Sequence, residues 1–400
     1  MTKASLIFSR LRIALRRVYV ETKFKAIGLK HFLRALFTRK PVFLIASHTG
    51  QYIGNAYYFL RYVHSRPEVC GLGLASRQTR YSLVHDQLPW VVQGSWPARC
   101  LARRAAAVFI GGYPSSEPFI SGYARALRVL TWHGMPIKAI GAQSTLQPPG
   151  NQGADCCIAT SPFTQEIMHR AFPAGGEVLC TGEPKTDGLV DPDRPDVRQK
   201  LGNKYQKMVL YAPTFRDAAN PTLSGYFADP NFDDSIVQSE QIRDSLERHK
   251  ACMVVAPHPA VRMHYKGRLR PPYFLATDLD LSIEHLMAAA DYLISDYSSV
   301  IIDWLLLLRP MGLYCPDIDE YESRRGFPYF DYQRLLGKYI HTELDSLAEN
   351  MNRTLGESEP DHDMQALKIL FHRYEAGGAA QRLFEAIWLE WQTKHSKGQL

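Results

Sequence analysis

The sequence predicts an α/β protein with two Rossmann-like domains facing a central cleft, preceded by a basic helical arm. Three observations carry this reading. From Pro41 onward short apolar runs alternate with helical stretches. A polar, proline-bearing break lies near residue 195, after which the alternation restarts. The first forty residues are strongly cationic. Strands alternating with helices imply a parallel sheet covered on both faces. A chain of 400 residues with 46% hydrophobic and 22% charged content has ordinary globular composition and room for two domains.

Residues 1–40 hold eleven Lys/Arg against one acid, Glu21, so this segment carries +10 and the remainder −3. On a helical wheel Ile7, Leu11, Ala14, Leu15 and Val18 share one face, opposite Arg10, Arg12, Arg16 and Arg17. Leu29, Phe32, Leu33, Leu36 and Phe37 repeat the pattern. Such an arm can lie on an anionic membrane surface, where each cation near the headgroups contributes about 1 kcal/mol. Packing on the body with a solvated basic face, or contact with nucleic acid, fits the same pattern. Arginines interrupt the apolar stretch, so no secretory signal is visible, and no run reaches the ~18 apolar residues of a membrane span. The body is therefore expected in the cytoplasm, peripheral on the inner face of the cell membrane.

The first half, residues 41–190, reads as strands at "PVFLIA", "VCGLGLAS", "AAVFIGG", "RVLT", "DCCIAT" and "EVLCTG". The second half, 195–400, has strands at "KMVLYAP", "ACMVVAP", "YFLAT", "DYLISD" and "MGLYCP", and ends on an amphipathic helix, "AAQRLFEAIWLEWQTK". The seven cysteines contain no CxxC pair and read as reduced core residues. Ligands of open α/β sheets gather at the carboxyl ends of strands. Those ends carry His48, Trp132-His133-Gly134, Thr214 with Arg216, Pro257-His258-Pro259 and Asp296-Tyr297-Ser298-Ser299. This inventory of histidines, hydroxyls and an arginine suits an anion. The chain lacks a dinucleotide glycine fingerprint, a Walker lysine loop and a recognisable metal motif.

Individual residues leave alternatives open. Ser298 and Ser299 before "VIIDWLLLL" can simply cap that helix, or can join its free N–H groups in holding a phosphate. Asp303, an acid within an apolar segment, either pairs internally or accepts from a ribose diol. His133 and His258 sit on tight loops, either as structural hydrogen-bonders or as groups that take and stabilise charge near neutral pH.

Seven segments in order resemble the CDP-glycerol glycerophosphotransferase family: "WHGMPIKAIG", "SPFTQEIMHRAF", "TGEPKTD", "VLYAPTFRD", "PHP", "ADYLISDYSSVIIDW" and "RRGFPYFDY". The resemblance implies a GT-B architecture and transfer of glycerol phosphate, or a related polyol phosphate, to a hydroxyl of a lipid-linked or glycan acceptor, with release of CMP. It implies CDP-glycerol or CDP-ribitol as donor substrate, no cofactor or metal, no nucleic-acid partner and a role in cell-surface polymer synthesis. By the same resemblance His133 is the general base and His258 stabilises the donor pyrophosphate. Asp296, Ser298 and Ser299 complete the phosphate pocket, while Thr214 and Arg216 line the donor site. Met135, Phe215 and the "GEPKTD" stretch depart from the usual Thr, Trp and Gly-Tyr-Pro-Arg-Asn-Asp, and bear on polyol and acceptor identity. A GT-B glycosyltransferase using a nucleotide sugar is the alternative enzyme. A non-catalytic binding module built on the arm is the alternative outside catalysis.

Overall fold

The run Val-Phe-Leu-Ile-Ala at 42–46 is buried at every position, as a strand covered on both faces requires, and it forms the interior strand β1 of a parallel sheet. The computed structural model describes residues 26–47, 53–75, 83, 86–112, 125–144, 154–173, 175–214, 232–258, 265–356 and 361–397. His48 and Arg216 lie outside the described residues, as do residues 1–25 of the arm.

The first sheet also contains β2 (Cys70–Ala75), β3 (Trp90–Val92), β4 (Ala105–Ile110), β5 (Leu127–Leu130), β6 (Cys156–Ala159) and β7 (Glu177–Cys180). Their order is β3-β2-β1-β4-β5-β6-β7. The second contains β8 (Lys207–Tyr211), β9 (Ala251–Val255), β10 (Tyr273–Leu275), β11 (Tyr292–Ser295), β12 (Met311–Tyr314) and β13 (Ile340–His341), in the order β10-β9-β8-β11-β12-β13. Each begins as 3-2-1-4-5-6 in its own chain order, the doubly wound pattern whose ligand position is the reversal beside the first strand. That point is β1/β4 in one sheet and β8/β11 in the other. Every strand expected from the sequence forms; β3 and β13, three and two residues long, carry too few alternating positions to be read.

By internal contacts the chain divides into a unit of residues 1–133, 153–156 and 384–400 and a second of 134–152 and 157–383. In the second unit the core of the β8–β13 sheet is built from Val209, Met253, Val255, Ile294, Leu347 and Met351, with Tyr292 fully buried. The Tyr292 hydroxyl donates to Asn350 Oδ1 at 2.6 Å, which offsets the cost of burying it. All seven cysteines are free, and burial pushes the Cys157 and Cys252 thiols up to about 12, where they are inert.

In the first unit residues 26–37 form a helix. Arg104 ends it by donating to the carbonyls of Leu36 and Thr38, a cation placed at the negative end of the helix dipole. The helix buries Phe32 and Ala35 but leaves Leu29, Leu33 and Phe37 at 52%, 42% and 79% exposure. The apolar face expected over 29–37 is therefore split. Phe32 turns to the core, whereas i, i+4 and i+8 form an outward stripe. No helix among the described residues is long and apolar enough to cross a membrane.

Candidate active site

The loop after β5 is held rigidly by its neighbours. Asn55, itself buried, donates Nδ2 to the carbonyls of Thr131 and Trp132 at 3.0 and 3.1 Å. Trp132 adopts φ of 51°, a left-handed conformation that costs a non-glycine residue about 1–2 kcal/mol. The buried amide contacts offset that strain. The next residue, His133, is exposed, and its ring lies 4.3 Å from that of Trp132. Its Nδ1 is 3.0 Å from the Gly111 carbonyl just beyond β4. A carbonyl only accepts, so Nδ1 carries the proton and Nε2 the lone pair, the tautomer a general base requires.

Gly134 follows with φ of 150°, a conformation that favours glycine. A β-carbon placed there would lie 2.5 Å from Ser299 Oγ and 3.3 Å from Lys185 Nζ. Three segments far apart in sequence, "WHG", "GEPKTD" and "DYSS", thus meet around one glycine. Ser299 occupies the N-cap position of the helix Val300–Trp304 but makes no side-chain cap bond. Its hydroxyl lies against Gly134 and does not cap the helix. Ser298 Oγ lies 3.4 Å from the Val300 amide, a weak cap at most.

Asp296, at the end of β11, stands where the second sheet reverses. Its Oδ1 accepts from the Thr214 amide at 2.8 Å, the Thr214 hydroxyl at 2.6 Å and the Tyr297 amide at 2.6 Å. Charge-assisted bonds of this kind contribute about 1.5–3 kcal/mol each. At 2% exposure this carboxylate ties the β8 and β11 ends together rather than facing solvent. Beneath it the "RRGFPYFDY" segment is the support. Tyr332 donates to the Asp296 carbonyl, Tyr297 donates to Asp317 Oδ1 at 2.7 Å, and the Tyr297 and Tyr321 rings stack at 3.7 Å.

Asp303, expected as a ribose contact, is 3% exposed and accepts from Lys185 Nζ at 2.7 Å. The internal pairing that the sequence left open is the one formed. The positions of Asp296 and Asp303 therefore shift their expected roles from ligand contact to positioning, because a buried carboxylate is stable only with such partners. Glu183 is 3.4 Å from the same ammonium. Burial favours loss of the Lys185 proton, but the charges of Asp303 and Glu183 outweigh it and hold the ammonium protonated. Burial also pushes the carboxyl of the nearby buried Glu284 up, with the Lys185 charge opposing that shift. Helix periodicity could place Asp303 on an inner face, but nothing in the spacing named Lys185 as its partner. The only signal was "GEPKTD", which keeps a cation where the family pattern has arginine.

His258 is exposed beyond the end of β9, and the Ala256 amide there donates to the Tyr211 carbonyl of β8 at 2.8 Å. Of the expected donor-site residues, Thr214, Asp296, Ser298 and Ser299 gather at the β8/β11 reversal. Among the described residues no cluster of His, Cys, Asp or Glu is disposed to hold a metal ion.

Residues 27–389 match the model of the CDP-Glycerol:Poly(glycerophosphate) glycerophosphotransferase family. The chain belongs to that family. It is 25% identical over 386 residues to a teichoic acid glycerol-phosphate transferase of Staphylococcus aureus, covering 89% of this chain and 95% of the relative. A teichoic acid ribitol-phosphate primase of Bacillus spizizenii is 27% identical over 251 residues, 60% of each chain. Among solved structures, a variant of the wall teichoic acid polymerase TagF superposes with a TM-score of 0.69 at 19% identity, over 98% of this chain and 99% of that one. The fold is GT-B, and the family makes the protein a transferase.

Proposed function

We propose that this enzyme moves glycerol phosphate, or a closely related polyol phosphate, from a CDP-activated donor to a hydroxyl of a lipid-linked or glycan acceptor, releasing CMP. The observation that carries the reading is the convergence of Gly134, Ser299 and Lys185, which joins three of the motifs shared with the family. The acceptor hydroxyl attacks the phosphorus that bears the polyol, and His133 Nε2 takes its proton. The bond from that phosphorus to the CMP oxygen breaks. Charge on the departing CMP is met by His258, the hydroxyls of Ser298 and Ser299, and Arg216. Thr214, fixed by Asp296, lines the donor side. On this reading the donor is a substrate, and the protein's own cations and hydroxyls supply the charge stabilisation.

Residues 26–37, with their outward apolar stripe and Lys30, Arg34, Arg39 and Lys40 nearby, support peripheral association with an anionic membrane surface. On this reading the enzyme works at the membrane face that presents a lipid-linked acceptor. Incubation with CDP-glycerol, CDP-ribitol and a panel of nucleotide sugars, each with a defined lipid-linked acceptor, tests the proposal. CMP release and a product heavier by one polyol phosphate are expected. Turnover with a nucleotide sugar alone would overturn it in favour of a glycosyltransferase.

A further inference from the structure

The first sheet has a second concave feature at its opposite edge. His133 follows the carboxyl end of β5, whereas a cavity of about 340 Å³ lies at the amino ends of β1, β2 and β3. His31, Arg34 and Lys40 line it from the 26–37 helix and its exit, and His64 and Arg66 line it from the end of the helix Gly54–His64. None of its described lining residues is acidic. Arg66 is already paired with Glu68 at 2.8 Å, which leaves Arg34 and Lys40 as the dominant charges. His31 Nδ1 accepts the Trp90 amide at 3.1 Å, so the neutral ring presents Nε2–H as a donor. Burial, then Lys30, Arg34 and His64, holds His31 below its ordinary value, and burial with Arg34 does the same to His64. The cavity is thus rich in donors and short of negative charge, as expected of a site for a phosphate group.

Its surroundings indicate where the phosphate comes from. The helix that supplies His31 and Arg34 also exposes Leu29, Leu33 and Phe37. At 3.6 residues per turn Lys30 falls between that stripe and the cavity-lining Arg34 and His31. Trp96, 68% exposed, adds an aromatic whose ring lies 5.6 Å from that of Phe32 on the same helix. An in-plane helix with its stripe among acyl chains carries its flanking cations at headgroup depth. We propose that the cavity is a headgroup site that binds the phosphate of an anionic phospholipid. The proposal rests on the membrane association stated above and deepens it from diffuse attraction to a defined pocket.

The test uses the full chain and its Arg34→Ala/Lys40→Ala and Leu33→Ser/Phe37→Ser variants, with unfolding transitions to show that each remains folded. Binding is measured to phosphatidylcholine vesicles with and without phosphatidylglycerol, to monomeric dihexanoyl-phosphatidylglycerol, and to inorganic phosphate. Wild-type protein is expected to bind anionic vesicles and to saturate with the monomeric lipid. Removing the two cations should weaken both by roughly 30-fold, at about 1 kcal/mol per cation. Removing the stripe should weaken vesicle binding only. Equal binding of the monomeric lipid by wild-type and Arg34→Ala/Lys40→Ala proteins overturns the pocket. Inorganic phosphate binding as tightly as the monomeric lipid, without competition from vesicles, overturns the lipid source. Failure of wild-type protein to bind anionic vesicles overturns the membrane reading itself.

Discussion

Lys185 Nζ lies 2.7 Å from Asp303 Oδ2 and 3.4 Å from Glu183 Oε2, and all three side chains are buried. Removing one partner of such a group leaves uncompensated charge and typically costs about 3–5 kcal/mol. Lys185→Met is therefore expected to lower the free energy of unfolding in urea by that amount. Lys185→Arg, which keeps the charge and restores the family's residue, should lose far less. If the two variants were equally stable, the ion pair would not be the brace described.

Gly134→Ala probes the meeting of the three motifs. The new methyl would lie 2.5 Å from Ser299 Oγ at a backbone angle that already favours glycine. A stability loss of about 1–3 kcal/mol is expected from the backbone strain. Because Ser299 must move, donor turnover should fall further than the fraction of folded protein does. Activity that simply tracked the folded fraction would argue against a functional contact.

The Asp296–Thr214 bond makes a separate prediction about binding. Thr214→Val removes the 2.6 Å hydroxyl bond and leaves the amide bond in place, so about 1.5–3 kcal/mol is lost. Because Thr214 lines the donor side in the proposed reaction, KM for the CDP-linked donor is expected to rise. Equilibrium unfolding and initial-rate kinetics read the two effects independently.

His133→Gln and His258→Gln should separate chemistry from folding. Both rings are exposed, so unfolding free energies should stay within about 0.5 kcal/mol of wild type. Turnover should fall by about 10²–10⁴-fold for loss of the base. Full turnover in both variants would show that neither ring carries the chemistry.

His372 predicts an acid-labile fold. Its Nε2–H donates to the Ile302 carbonyl at 2.7 Å, in the helix that follows Ser299, and burial lowers its pKa to about 4. The unfolded chain binds this proton near pH 6.5 and the folded chain only near 4, so the stabilisation is complete above 6.5 and is lost as pH falls between those values. In that window the residue contributes a slope of about 1.4 kcal/mol per pH unit. His372→Asn should flatten the measured dependence of unfolding free energy on pH by that amount.

Much of this was readable in the chain. Buried parallel strands announce themselves as continuous apolar runs, and the ends of those runs carry His133, Thr214, His258, Asp296 and Ser299. The helix over 26–37 was equally legible, but its outward face was not. Periodicity groups Phe32 with Leu29 and Leu33, and only the presence of Trp96 and β3 decides which of them is buried. Asp303 is the sharper case. The cost of burying a carboxylate required a partner, but sequence distance hides that the partner is Lys185, and that Gly134 closes against both Lys185 and Ser299. Local sequence determines what each strand end can offer, because backbone pattern and side-chain chemistry are local properties. Which of those groups face a ligand and which are spent holding the others in place depends on long-range packing and burial, and the tertiary structure alone decides it.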